Sequence, residues 1–307
     1  MNDLIILGAG PGGMSAAIYA VRSGLKTLVI EKFMPGGQVL NTADVENYPG
    51  FEDPITGYEL VTAMEKQVRR LGAEIITADI QSVERDEKED KMVCKDASGN
   101  VYEARAVIAA TGSRYKRLGV PGEKEYTGKG VSYCATCDGA FFRDKVTAVV
   151  GGGNTALDEA LFLTRFASKV YLIHRRDKFR ASQILVNRVM EHPKIEIVFN
   201  SIVTSVNGEN KVNSATLKDT VDGSERDLTL DGVFIFVGYN PVTEMLPDSI
   251  KDEWKAIKTD INMGTSIPGL YAAGDIRATS RKQIITAAAD GATAAMAAYE
   301  YITHEEL

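Results

Sequence analysis

The sequence predicts an α/β protein made of two Rossmann-like, doubly wound, three-layer units. Two observations carry this. The order strand, glycine-rich loop, helix, strand occurs twice, in "DLIILGAGPGGMSAAIYAVRSG" with "KTLVIEK", and in "KVTAVVGGGNTALDEALFLTRFASKVYLIHRR". The length of 307 residues suits about two domains.

"DLIIL" is a short apolar run that enters "GAGPGG", and "MSAAIYAVRSG" reads as a helix that stops at Gly24. "TGYELVTAMEKQVRRLG" has the period of a second amphipathic helix. Segments 81–85, 91–95 and 101–105 are polar-rich and read as a small antiparallel addition, whereas "AVIAATGS" reads as a separate buried strand running into a glycine. After the second glycine loop, "GVFIFVGYNP" is another buried strand. "GLYAAGDI" then precedes an alanine-rich helix expected over 285–301.

Hydrophobic residues make up 44% and charged residues 25%, enough apolar material for two cores. The net charge of −7 argues against a general nucleic-acid binder, which needs a basic face for phosphates. No apolar run is long enough to span a bilayer. The opening "MNDLIILGAGPGG" lacks the leading positive charge and the length of a secretory leader. Three cysteines do not form a disulfide scaffold and fit a reducing compartment, so a cytoplasmic protein is expected.

Gly8, Gly10 and Gly13 form G-x-G-x-x-G, the spacing of a dinucleotide loop. The first glycine allows the tight turn, the second admits a pyrophosphate, and the third lets helix and strand pack closely. Glu31 ends the next strand, where a carboxylate accepts hydrogen bonds from a ribose diol. Gly151, Gly153 and Ala156 repeat the pattern as G-x-G-x-x-A. Here the strand ends in His174, Arg175 and Arg176, with Arg180 close behind and no carboxylate. Arginine forks suit a 2′-phosphate, so this loop points to NADP(H) over NAD(H).

Cys134 and Cys137 are separated by two residues in "CATCDG". Half a zinc site would need two further ligands, for which only Cys94 and three scattered histidines remain. An inert buried pair is the third reading, and the spacing favours a reversible redox pair over both. Cys94, in "DKMVCKD", reads as a small buried hydrophobe. Asp138 either opens an Asp-Gly turn or exchanges protons with a neighbouring thiolate. Phe141 and Phe142 are either partner anchors or core residues before the strand at Val146.

Together, two such loops with "CATCDG" between them closely resemble the low-molecular-weight, bacterial-type thioredoxin reductase family. "GGQVLNT", "VENYPGF", "ATGS", "GLYAAGD" and "KQIITAAADGA" extend the resemblance over essentially the whole chain. The resemblance implies an FAD-binding domain in two parts, 1–116 and 240–307, with an NADPH-binding domain, 117–239, inserted between them. FAD would lie against Gly8, Gly10, Pro11, Gly13 and Glu31. Further contacts would come from Gly37, Gln38, Thr42 and Asn47, from Thr111 and Gly112, and from Gly274, Asp275, Lys282 and Gln283. NADPH would lie against Gly151, Gly153, Asn154, Thr155 and Ala156, with His174, Arg175, Arg176 and Arg180. Cys137 would face the flavin, Cys134 would exchange with thioredoxin, and Asp138 would handle the proton. The family commonly has Arg-Gln where this chain has Lys282-Gln283; lysine keeps the charge and loses the planar fork.

The activity so implied is a disulfide reductase: hydride from NADPH to FAD, electrons to the Cys134–Cys137 pair, then exchange with oxidised thioredoxin. A homodimer is implied with it. So are two arrangements of the domains related by a rotation, with Gly112 and Gly238 in the two chain crossings. A reductase of the same build serving another disulfide protein, and a flavin-binding redox sensor without turnover, are the alternatives.

Overall fold

The computed structural model describes residues 1–42, 45, 47–133 and 135–304. The chain forms two units, one of Met1–Arg114 with Asn240–Leu307 and one of Tyr115–Tyr239. The first boundary falls slightly ahead of residue 116. The first unit begins with β1 (Asn2–Leu7), α1 (Pro11–Arg22), β2 (Thr27–Glu31), α2 (Gly57–Arg70), β3 (Glu74–Thr77), β4 (Ile80–Asp86), β5 (Lys91–Asp96) and β6 (Val101–Ala109). The chain leaves through β7 (Ser113–Tyr115).

The second unit contains β8 (Val131–Ser132), α3 (Ala135–Asp138), β9 (Val146–Gly151), α4 (Asn154–Leu163), β10 (Lys169–Ile173), α5 (Gln183–Glu191) and β11 (Ile195–Val198). It continues through β12 (Ser201–Gly208), β13 (Val212–Asp219), β14 (Glu225–Thr229) and β15 (Gly232–Phe236). The return runs through β16 (Tyr239–Pro241) to β17 (Leu270–Ala272) and α6 (Ile284–His304).

In the first unit β3, β2, β1 and β6 form a parallel sheet. Leu4, Ile5 and Ile6 of β1 are fully buried, as an unbroken apolar run requires of a strand covered on both faces. Strand β6 joins what the sequence divides in two. Its first half pairs antiparallel with β5, and its second half pairs parallel with β17. The periodicity changes within it because exposure does: residues 101–103 reach solvent and residues 106–109 are buried.

Helices α1, α2 and α6 cover one face of this sheet, packing on Leu4, Ile6, Val29 and Ile108. The other face carries Ile5, Leu28 and Val107 against Val83, Met92 and Cys94 of β4 and β5, with Leu246 and Ile257. Each such aliphatic side chain contributes about 1.5–3 kcal/mol on burial. Helices α1 and α6 approach backbone to backbone: a Cβ at Gly291 would overlap the carbonyl oxygen of Gly12. Thr56 and Glu59 close a capping box on α2, worth about 1 kcal/mol.

In the second unit β11, β10, β9, β15 and β8 are all parallel. Leu157 and Leu163 of α4 and Leu185 of α5 pack on one face, around Val149 and Phe234. The antiparallel sheet β12-β13-β14 supplies the third layer, with Val203, Val206 and Leu217 against Val150, Ile173 and Ile235. This sheet is hard to read from sequence because register shifts at Val203/Ser205 and Asn207/Gly208 break the alternation of β12.

Candidate functional site

The first glycine loop follows β1. Gly8 has φ +97°, and a Cβ there would overlap the carbonyl oxygen of Ala110. A Cβ at Gly13 would overlap the oxygen of Gly8, whereas Gly10 faces open space with nothing within 4 Å. The cradle is thus tight where the protein packs on itself and open where a ligand approaches. Gly10 is the N-cap of α1 and Pro11 fills its first turn with no side-chain cap. The amides of that turn have no acceptor within the helix and favour an anion.

Glu31 is held over this loop. Its Oε2 accepts the Ala9 N–H at 2.8 Å and its Oε1 the Phe33 N–H at 3.1 Å. A carboxylate has about four acceptor directions, so capacity remains for a diol. The loop of Gly37 lies against Gly10, since a Cβ on Gly37 would stand 3.3 Å from the Gly10 Cα. Gln38 donates from Nε2 to Ser113 O at 2.6 Å, and Thr42 O accepts the Gly57 N–H at 2.9 Å.

Asn47 donates to Gln283 Oε1 at 3.1 Å, joining residues 236 positions apart. Thr111 donates to Val242 O at 2.5 Å, and Gly112 follows at φ +71°. Beyond β17, the Gly274 N–H donates to Asp290 Oδ2 at 3.1 Å. Burial pushes the Asp275 carboxyl up, against the Lys282 charge and the Ser280 hydroxyl, with Asp290 adding to the rise. Lys282 is in the left-handed region at φ +54°, and Gln283 Nε2 donates to its carbonyl oxygen at 3.0 Å.

Around this site, Ser113 and Asp290 fall inside the quoted segments "ATGS" and "KQIITAAADGA" without having been singled out, and Arg277 lies outside every quoted motif. Arg277 pairs with Asp290 at 2.6 Å, both side chains largely buried. No local sequence pattern signals the pairing of Arg277 with Asp290. Arg277 and Asp290 together anchor the turn that presents Asp275.

The second loop repeats the plan after β9. Gly151 is pressed against Phe236 and Ala156, whereas Gly153 faces open space and caps α4 with no side-chain acceptor. Asn154 Oδ1 accepts the Ser182 N–H at 2.8 Å, and Thr155 is exposed beside it. The Arg180 N–H donates to Gly152 O at 2.7 Å, bringing the arginine segment over the loop. His174 is buried, with Nε2 3.1 Å from Lys178 O. Burial, with Arg176 and Arg175 nearby, lowers its pKa, so the ring is neutral at neutral pH. Arg175 and Arg180 are exposed and Arg176 is half-buried. Among the described residues none of the three has an ion-pair partner. The donor set therefore fits a phosphate, and both cradles fit a dinucleotide.

Cys134 lies outside the described residues. Cys137 belongs to the four-residue helix α3 together with half-buried Asp138. Asp138 and Phe141 line a cleft of about 250 Å³ with Lys129, Lys145 and Lys211. Phe141 is 73% exposed, whereas Phe142 is core, edge-on to Phe234 at 5.1 Å. The Phe142 ring also fills the space over Gly232. The packing reading thus holds for Phe142, whereas Phe141 stands at the surface. Cys94 is fully buried, and burial pushes its thiol up to about 12. Among the described residues there is no group of side chains that could hold a metal ion. No helix of the described residues is long and apolar enough to cross a membrane.

Comparison with known proteins places these features in a family. Residues 2–291 match the model described as pyridine nucleotide-disulphide oxidoreductase. The chain is 50% identical over 307 residues to a thioredoxin reductase of Bacillus subtilis, covering 99% of this chain and 95% of that protein. It is 47% identical over 300 residues to one of Treponema pallidum, covering 98% and 97%. Among solved structures, Lactococcus lactis thioredoxin reductase in its FR conformation superposes with a TM-score of 0.92 at 42% identity, over 99% of this chain and 100% of that one. The T. acidophilum thioredoxin reductase gives 0.88 at 36% identity, over 97% and 98%.

Proposed function

Because the chain belongs to the pyridine nucleotide-disulphide oxidoreductases, among the low-molecular-weight thioredoxin reductases, we propose that it is an NADPH-dependent flavoprotein that reduces the disulfide of thioredoxin. The observation that carries this reading is the contrast between the two cradles. One ends in a carboxylate fixed over the loop, the other in arginines without ion-pair partners among the described residues, and a Cys-x-x-Cys segment stands between them in the chain.

In this reading residues 1–116 and 240–307 hold FAD and residues 117–239 hold NADPH. Glu31 takes the ribose hydroxyls of FAD, the first turn of α1 its pyrophosphate, and Asp275 with Gln38, Asn47 and Gln283 the remainder. Arg175, Arg176 and Arg180 take the 2′-phosphate of NADPH, and the first turn of α4 its pyrophosphate. FAD, when bound, accepts the hydride of NADPH and passes the electron pair to a disulfide.

The cysteines then act by exchange. The Cys134 thiolate attacks one sulfur of the partner disulfide, breaking its S–S bond, and the released thiolate takes a proton. The Cys137 thiolate attacks Cys134 in the mixed disulfide, re-forming the internal bond and freeing the partner as a dithiol. Asp138, next to Cys137 in the chain, hands over a proton. Over one cycle NADPH, a proton and a disulfide give NADP⁺ and a dithiol, two electrons in all. Phe141, exposed on the cleft that Asp138 also lines, is an anchor for the partner protein.

A homodimer acting in the cytoplasm, where thiols are kept reduced, belongs to the same reading. Gly112 and Gly238, both at positive φ, lie at the two crossings and suit a hinge. The test is NADPH consumption by FAD-loaded protein with and without oxidised thioredoxin. Turnover that needs thioredoxin is expected. Absence of turnover with every protein disulfide offered would leave a flavin-binding sensor in its place.

A further inference from the structure

We propose that Tyr133 and Glu159 are positioning residues that brace the chain on either side of Cys134, and that the Glu159 carboxylate also holds the dithiol pair on its reducing side. The inference rests on the exchange role proposed for Cys134 and Cys137.

On one side the Tyr133 hydroxyl donates to Glu123 Oε1 at 2.7 Å. Glu123 is itself a fixed point. It is 2% exposed and also accepts the Leu118 N–H at 3.0 Å and the Gly119 N–H at 2.6 Å. Burial and the Glu123 carboxylate push the Tyr133 phenol up to about 12, so it remains a donor over the working pH range. The Tyr133 ring stacks on Tyr115 at 5.9 Å, and Tyr115 meets Tyr239 at 5.5 Å. Tyr115 and Tyr239 are the residues through which the chain enters and leaves this unit.

On the other side the Ala135 N–H donates to Glu159 Oε2 at 3.2 Å. Ala135 opens α3, whose four residues cannot satisfy that amide internally. Glu159 belongs to α4, the helix that opens at the second glycine loop. The residues flanking Cys134 are thus tied to two different supports of the same unit.

Each tie has its own chemical effect. Thiol–disulfide exchange needs aligned sulfurs, so releasing one flank slows it without touching hydride transfer. A carboxylate bonded to the next residue also disfavours a thiolate at Cys134. Removing that charge stabilises the reduced form and makes the pair more oxidising.

The experiment uses the flavin-loaded enzyme with Tyr133→Phe, which keeps the ring stack, and Glu159→Gln, which keeps an acceptor and loses the charge. Poise is read from the equilibrium in which the pair's disulfide and two glutathiones give the dithiol and glutathione disulfide. Glu159→Gln is expected to shift that constant roughly tenfold toward the dithiol, ~30 mV. Tyr133→Phe is expected to lower kcat with thioredoxin roughly tenfold while the NADPH KM and the anaerobic rate of flavin bleaching stay at wild-type values. Unchanged poise in the first and unchanged kcat in the second overturn the inference, and so does an equal loss of flavin bleaching, the mark of general loosening. Failure of the wild-type protein to reduce thioredoxin would instead overturn the reading beneath it.

Discussion

The imidazole of His174 lies so close over Gly152 that a Cβ at Gly152 would overlap its ring atoms. The central glycine of "GGGN" is therefore required by a side chain at the end of the next strand, and the neutral, buried ring closes the loop from that side. Gly152→Ala must displace the ring or the loop. We expect a loss of about 1–3 kcal/mol in stability and weaker NADPH binding. Thermal melts and nucleotide titration check this; a variant with wild-type melting and affinity would show that the ring does not hold the loop.

In the proposed scheme Arg175 and Arg176 separate the two nicotinamide nucleotides. Replacing both with alanine is expected to weaken NADPH far more than NADH. Losing ~3 kcal/mol of charge-assisted hydrogen bonding corresponds to on the order of 150-fold in affinity. Equal weakening of both nucleotides, measured by titration, would make the arginines structural.

Burial of the Asp275 carboxyl carries a cost in stability. A carboxyl whose folded pKa is raised lowers stability at neutral pH, and the penalty fades as pH falls through the folded value toward the ordinary 3.8. Flavin-free Asp275→Asn is therefore expected to melt above the wild type near neutral pH, the gap closing on acidification, and to bind FAD more weakly. Melts across that range with FAD titration test the sign; a variant that melts lower at neutral pH contradicts it.

Cys94 should be chemically silent. With its thiol pushed up to about 12 and its side chain fully buried, alkylation of the native, reduced protein should label the Cys134–Cys137 segment and spare Cys94 until unfolding. Peptide mass spectrometry reads this directly, and early labelling of Cys94 would contradict its burial.

Those parts of the site that depend on neighbours in sequence were legible there. The glycine spacings, Glu31 and the segment from His174 to Arg180 lie at fixed distances from their strands, because one strand–loop–helix unit sets them. Cys94 was legible because a lone cysteine in a strand packs as a small hydrophobe. Phe141 and Phe142 were not separable, since adjacent identical residues differ only in what the fold brings to them: Gly232 and Phe234 receive one, and solvent the other. The Arg277–Asp290 pair and the Glu123–Tyr133 bond are tertiary pairings with no periodic signature. The split of β6 into two expected strands came from reading a change of exposure as a change of element.

In the proposed scheme the cysteine pair stands between a flavin and an outside disulfide. The most direct test is Cys137→Ser in the FAD-loaded protein, with flavin absorbance followed after anaerobic mixing with NADPH and thioredoxin reduction followed in parallel. Flavin bleaching at the wild-type rate with thioredoxin reduction abolished is the expected result. Thioredoxin reduction that survives the substitution, or flavin bleaching lost with it, would contradict electron transfer in the order nucleotide, flavin, cysteine pair, partner.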